Sequence, residues 1–147
     1  MAGLGRQLRD NLVAITSLAV ALSALGYNTW RNERTEGNRN VRVAGIELLR
    51  EIGSLQQVIF YAHYVADDPR GELRMGWVDT LTINDLATVM PQAVGENARQ
   101  LRAVWEANVT DLDQFTSEER RDRAFVQIDQ AIDALRQATL ESLRELD

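Results

Sequence analysis

From Leu12 to Tyr27 the chain carries no charged residue, and the next charge after Asp10 is Arg31. Such a run must find apolar surroundings along its whole length. As a helix, Leu12 to Trp30 spans roughly 28 Å at about 1.5 Å per residue, close to the ~30 Å of a hydrocarbon core. Tyr27 and Trp30 stand where amphipathic rings favour a membrane–water interface, and Arg31 and Arg34 follow directly as basic anchors. The run holds much Ala, Ser and Thr beside its Leu, which moderates its drive to insert.

Three situations satisfy this segment. A secretory signal would use Arg6 and Arg9 as its charged start and Ala24-Leu25-Gly26 as a small-x-small cleavage site. A buried helix of a soluble protein would need apolar partners on every side. A membrane anchor needs only lipid, and the continuation through Trp30-Arg31 favours it. The expectation is a single transmembrane helix over 11–30, preceded by a tail over 1–10.

The helical wheel divides this segment into two stripes. Ala14, Ser17, Ala21, Ala24 and Asn28 recur at steps of three and four as a face of small side chains. Ile15, Leu18, Leu22 and Leu25 form a bulky stripe beside it. In lipid, helices associate by close backbone approach and interhelical hydrogen bonds, so the small face is the expected contact for another membrane helix or a second copy. Arg31, Arg34, Arg39 and Arg42 outnumber Arg6 and Arg9, which leans the carboxyl-terminal domain toward the cytoplasm.

The net charge of −6 is unevenly spread: residues 1–42 hold six Arg against three acids, residues 43–147 ten Arg against nineteen. An acidic body behind a basic collar speaks against nucleic acid, which requires a basic folded face. The collar suits anionic headgroups, although Glu33 and Glu36 dilute it. Without cysteine, disulfides, thiolate metal sites and cysteine nucleophiles are excluded.

The stretch 31–42, "RNERTEGNRNVR", has almost no apolar residue and reads as a polar juxtamembrane stalk, interrupted near Gly37-Asn38. From Val41 the period becomes helical through Leu48, Ile52, Leu55, Ile59, Ala62 and Val65, with a stop by Asp67. Asp68-Pro69 reads as a cap and first turn of a new helix. Thr82 with Asp85 predicts the cap of a further short helix. Pro91 starts a long helix whose seam is Val94, Ala98, Leu101, Trp105, Asn108, Leu112 and Phe115. Thr116 with Glu119 forms a capping box for the last helix, with the seam Phe125, Ile128, Ile132, Leu135, Thr139, Ser142 and Leu146. No alternating run bounded by hairpin turns appears. The fold class is therefore all-α: one transmembrane helix followed, over 43–147, by a small antiparallel bundle of about four helical segments.

Residues that carry chemistry are sparse. His63 is the only histidine, with Asp67, Asp68 and Glu47 as conceivable neighbours, so a two-histidine metal site within one chain is impossible. Asp111, Asp113, Glu118 and Glu119 lack the glycine turn and spaced terminal Glu of a calcium hand. Gly3 and Gly5 follow no strand and precede no Lys, so they do not cradle phosphate. A Gly-x-Ser-x-Gly elbow is absent. Trp77 and Trp105, with His63, are the candidates for a ligand pocket, against the simpler reading that the tryptophans fill the core. Asn108 in its apolar seam either sets helix register or faces water. No cofactor and no catalytic residue is expected.

The apolar segment running into "YNTWRNERTEGNRNVR" resembles a group of small, uncharacterised bacterial single-pass membrane proteins. In these an Asn-x-Trp-x-Asn-Glu sequence follows the apolar segment. The likeness covers the first third of the chain. It implies a bacterial inner-membrane protein with a helical extramembrane domain, and no catalytic residues. The expected function is a non-enzymatic, membrane-anchored interaction protein, an accessory or scaffold subunit whose partners are the bilayer and other membrane helices or its own copy. The alternative is a single-pass sensory or ligand-binding bundle.

Overall fold

The computed structural model describes residues 11–65 and 68–146. Among these residues four α-helices follow one another: α1 (Leu12–Tyr64), α2 (Leu73–Ala87), α3 (Gln92–Asn108) and α4 (Glu118–Arg144). Two 3-10 turns, Pro69–Gly71 and Val109–Leu112, link them, and no strand occurs among the described residues. The chain divides into two compact units between Arg39 and Asn40, slightly ahead of the boundary expected at residue 43. The tail expected over 1–10 lies outside the described residues.

The first unit is the amino-terminal part of α1. Every residue from Leu12 to Asn40 is exposed, so no packing within the unit covers the apolar run. The hydroxyl of Thr16 donates to Leu12 O at 2.8 Å, and that of Thr35 to Arg31 O at 2.9 Å. Each thereby satisfies itself on its own helix. The expected interruption at Gly37-Asn38 does not occur: helix continues through both residues. A glycine in a helix costs about 1 kcal/mol, whereas a break would orphan several backbone groups at each new end.

The second unit has its own core, drawn from all four helices. Leu48, Ile52, Leu55 and Ile59 of α1, Ile83 of α2, Leu101 and Trp105 of α3, and Ile128, Ile132 and Leu135 of α4 are all fully buried. Each such side chain contributes about 1.5–3 kcal/mol by leaving water. The buried hydroxyls of Thr80 and Thr139 donate to Gly76 O and Leu135 O, one turn back on their own helices. These two hydroxyls are thus accommodated without a partner from a neighbouring helix, whereas the buried Ser142 Oγ has no hydrogen-bond partner.

Helices α1 and α4 pair antiparallel. Gly45 lies beside Leu143, Gln56 bonds Asp129 and Arg136, and His63 meets Asp122 and Phe125. Helix α4 also packs on α3, and α3 on α2. The turn before α2 returns to α1: a Cβ on Gly71 would stand 2.5 Å from the backbone nitrogen of Ala62, a spacing only glycine permits. The result is four helical segments packed around one core, with α1 and α4 antiparallel.

Several helix boundaries differ from expectation. Asp68-Pro69 opens a 3-10 turn rather than an α-helix; Asp68 caps it by accepting from Arg70 N at 2.9 Å, and α2 begins only at Leu73. Thr82 caps nothing. It lies inside α2 and donates to Val78 O, because the helix gains more by continuing along the buried line Gly76, Thr80, Ile83 and Ala87. The N-cap position of α4 is Ser117, whose side chain makes no capping hydrogen bond, and not Thr116, whose hydroxyl turns to Thr110 O. The α3 seam ends in the turn at Leu112; Phe115, expected in that seam from its apolar character and three-residue spacing, is 90% exposed.

Candidate functional site

In the amino-terminal unit the small-residue positions Ala14, Ser17, Ala21, Ala24 and Asn28 are all helical and all exposed. Their three- and four-residue steps therefore place them on one face. Beside them Ile15, Leu18, Leu22 and Leu25 are 46–64% exposed. The helix is long and apolar enough to cross a bilayer, and none of its most apolar window is buried. Tyr27 and Trp30 stand with ring centroids 6.1 Å apart, and the guanidinium of Arg34 lies 5.6 Å from the Trp30 ring. This holds a cation over an aromatic face one turn beyond the apolar run. Arg31 is exposed one position after Trp30.

In the bundle, His63 gathers partners that local sequence did not supply. Its Nε2 lies 3.4 Å from Asp122 Oδ1 of α4, and its ring stacks on Phe125 at 4.5 Å and 17°. Tyr64 meets both rings edge-on. The acids expected near it serve elsewhere: Asp68 clamps Arg70, Glu47 pairs with Arg50, and Asp67 lies outside the described residues. Among the described residues no group of three His, Cys, Asp or Glu converges to hold a metal. A single imidazole with one carboxylate can orient and exchange a proton, but here the ring is half of an aromatic stack.

Trp105 is not a pocket wall. It is fully buried, meets Trp77 edge-on at 6.3 Å and 89°, and presses so closely on Gly76 that a Cβ there would lie 2.2 Å from its ring. Trp105 therefore fills the core, Trp77 is the half-buried residue against it, and His63 keeps separate company with Phe125. Asn108 is half-buried and donates to Val104 O at 2.8 Å, satisfying itself on its own helix rather than fixing register across the bundle. Asp111 pairs with Arg120 at 2.8 Å, and Asp113 accepts from Phe115 N. These acids organise the α3–α4 connection.

Two acids stand out electrostatically. The Arg70 guanidinium beside Asp68 holds that carboxyl down at about 2, helped by the Arg70 backbone N–H. Arg70 also donates to Tyr61 Oη at 2.6 Å while lying over its ring, which ties the turn back to α1. Asp79 goes the other way: burial pushes it up, Glu51 adds to the rise, and a hydrogen bond from Ser54 opposes both. It is 5% exposed, and its Oδ2 has no hydrogen-bond partner. The sequence held a signal for it, because Asp79 borders the buried line Gly76, Thr80, Ile83 and Ala87.

Along the outer side of the α1–α4 pair runs a groove lined by the exposed rings of Phe60 and Tyr64 and the half-buried rings of His63 and Phe125. One open section of about 480 Å³ is lined by Gly53, Gln57, Phe60 and Asp129. An adjoining hollow of about 540 Å³ includes His63, Asp122 and Val126, and both share Tyr64 and Phe125. Periodicity alone missed this feature, since it lies on the outer faces of two helices distant in sequence.

Comparison with protein-family models, with curated proteins and with solved structures found no match.

Proposed function

We propose that the chain is a membrane-anchored, non-enzymatic interaction protein, an accessory or scaffold subunit of a larger membrane assembly. The observation that carries this reading is the complete exposure of Leu12–Trp30 in a chain whose core is built from residue 44 onward. An apolar run of this length with no cover of its own requires cover from lipid or from other helices. Arg34 over the Trp30 ring, together with the resemblance of residues 27–42 to bacterial juxtamembrane sequences, supports a water interface at its end. The arginine excess after the run directs the bundle to the cytoplasmic side of the inner membrane. The small face of Ala14, Ser17, Ala21, Ala24 and Asn28 is then the surface for a neighbouring membrane helix.

The bundle supplies binding surface rather than chemistry. The ligand-binding alternative loses its strongest wall because Trp105 is core. Alkaline carbonate extraction of membranes from cells making the full chain tests the anchor. Retention in the sedimented membranes is the expected result, and release into the supernatant overturns the reading.

A further inference from the structure

We infer that the groove between α1 and α4 is a docking site for a basic amphipathic helix of a partner protein. The inference deepens the interaction reading above and rests on it, but it does not depend on the anchor. On α1, Gly53, Gln57, Phe60 and Tyr64 follow 4-3-4 steps, and all four are exposed. They form one stripe along the helix. Phe60 is 48% exposed, Tyr64 60%, and Val126 across the groove 48%. Ring centroids lie 4.9 Å apart for Phe60 and Tyr64, and 5.5 Å for Tyr64 and Phe125. The apolar surface is therefore continuous from one helix to the other. Scattered exposed hydrophobic residues need no explanation, but a contiguous aromatic groove does.

Gly53 narrows the class of occupant. It sits in the interior of α1, where glycine is unfavourable, and a Cβ there would meet nothing within 4 Å. Gly71 and Gly76 are each explained by a close neighbour in the chain; Gly53 has none, as is also true of Gly26 and Gly37, but Gly53 alone of these three lines the groove. Its bare backbone lets another helix approach closely at the groove floor. From Gly53 to Tyr64 the stripe extends roughly 17 Å, about three turns of such a helix.

Charge sets the partner's sign. Glu118, Asp122 and Asp129 border the groove, with Arg121 the one arginine among its described lining residues. The bundle behind them, residues 43–147, holds nineteen acids against ten Arg. That field opposes a second acidic bundle and the headgroups of an anionic bilayer, and favours a cationic segment. Aromatic floor, bare helix and acidic border together fit a helix with aliphatic residues on one face and Lys or Arg flanking it.

The test uses the full chain in nanodiscs and a synthetic amphipathic helix of about four turns, leucine on one face and lysine on the other. Its counterpart carries glutamate in place of lysine. Since the chain has no cysteine, Gln57→Cys takes one environment-sensitive fluorophore in the groove. The expected result is a blue shift on adding the lysine peptide, with affinity about tenfold or more above that of the glutamate peptide. In unlabelled protein, Gly53→Leu fills the groove and weakens binding of the lysine peptide about tenfold, while thermal stability is kept. Equal binding of both peptides, or unchanged affinity in the stable Gly53→Leu variant, overturns the inference. So does a blue shift already present in peptide-free discs of anionic lipid, which would make lipid the occupant. Groove-dependent self-association, lost in Gly53→Leu, would make it a second copy and overturns the inference too. Failure to enter nanodiscs counts only against the anchor, because peptide binding is then read on the aqueous chain.

Discussion

Gly76 of α2 and Trp105 of α3 share one space: a Cβ on the glycine would lie 2.2 Å from Cη2 and 2.6 Å from Cζ2 of the indole. The fully buried ring has no room to withdraw, so the glycine sets the distance between the two helices. Gly76→Ala is expected to destabilise the fold by about 1–3 kcal/mol through overpacking. Thermal or urea denaturation followed by circular dichroism checks this, and a midpoint equal to wild type would refute the contact.

Asp79 predicts a pH dependence of defined sign. Burial raises its folded-state pKa above the unfolded value of about 3.9. The stabilising contribution is then fully present below that unfolded value and is lost as pH rises through the folded one. Asp79→Asn removes this loss. Its melting temperature should exceed that of wild type at pH 7, and the difference should shrink as pH falls toward 4. A difference that grows on acidification would show that the carboxylate is stabilised where it stands.

Asp68 predicts the opposite slope. With its pKa held at about 2 by Arg70, its contribution is present above the unfolded value of about 3.9 and lost as pH falls through about 2. Asp68→Asn should therefore speed hydrogen exchange at the Arg70 amide at neutral pH. Identical exchange in the variant would mean that Asp68 does not cap the turn.

Gly37 tests whether the polar segment is truly helical. A Cβ there meets nothing within 4 Å, so Gly37→Ala changes only the backbone preference. The substitution should stabilise the local helix by about 0.5–1 kcal/mol, read as slower amide exchange over residues 33–41 in the full chain. Faster or unaltered exchange would place a break at this position.

The small face of the apolar segment has its own test. Ala21→Leu with Ala24→Leu nearly keeps helix propensity and raises hydrophobicity, so the segment still inserts, but it forbids close backbone approach. Association in mild detergent, with itself or with a co-purifying membrane subunit, should fall severalfold. Undiminished association with both would show that helices meet this segment elsewhere.

The sequence predicted burial far better than it predicted partnership. The lines Leu48–Ile59, Val94–Trp105 and Ile128–Ser142 were legible because a three- and four-residue period records which face is dry. The same period does not say which dry faces meet. The pairing of His63 with Asp122 and Phe125, and of Gln56 with Asp129 and Arg136, joins helices far apart in the chain, and nothing local encodes it. Misplaced boundaries have a similar origin: Thr116-Glu119 and Thr82-Asp85 are sound capping patterns, but the buried line of each helix overruled them. Phe115 misled for the reverse reason, being apolar at seam spacing yet lying past the last turn that the core can reach.

The first and last helices of the bundle clasp each other, with Gln56 and Arg136 bonded across 80 residues of chain. A ribosome therefore releases Leu48, Ile52, Leu55 and Ile59 long before α4 exists to shield them. Until then these side chains must be sheltered by α2 and α3 alone or by a chaperone, and truncation anywhere before α4 leaves the nascent chain open to aggregation.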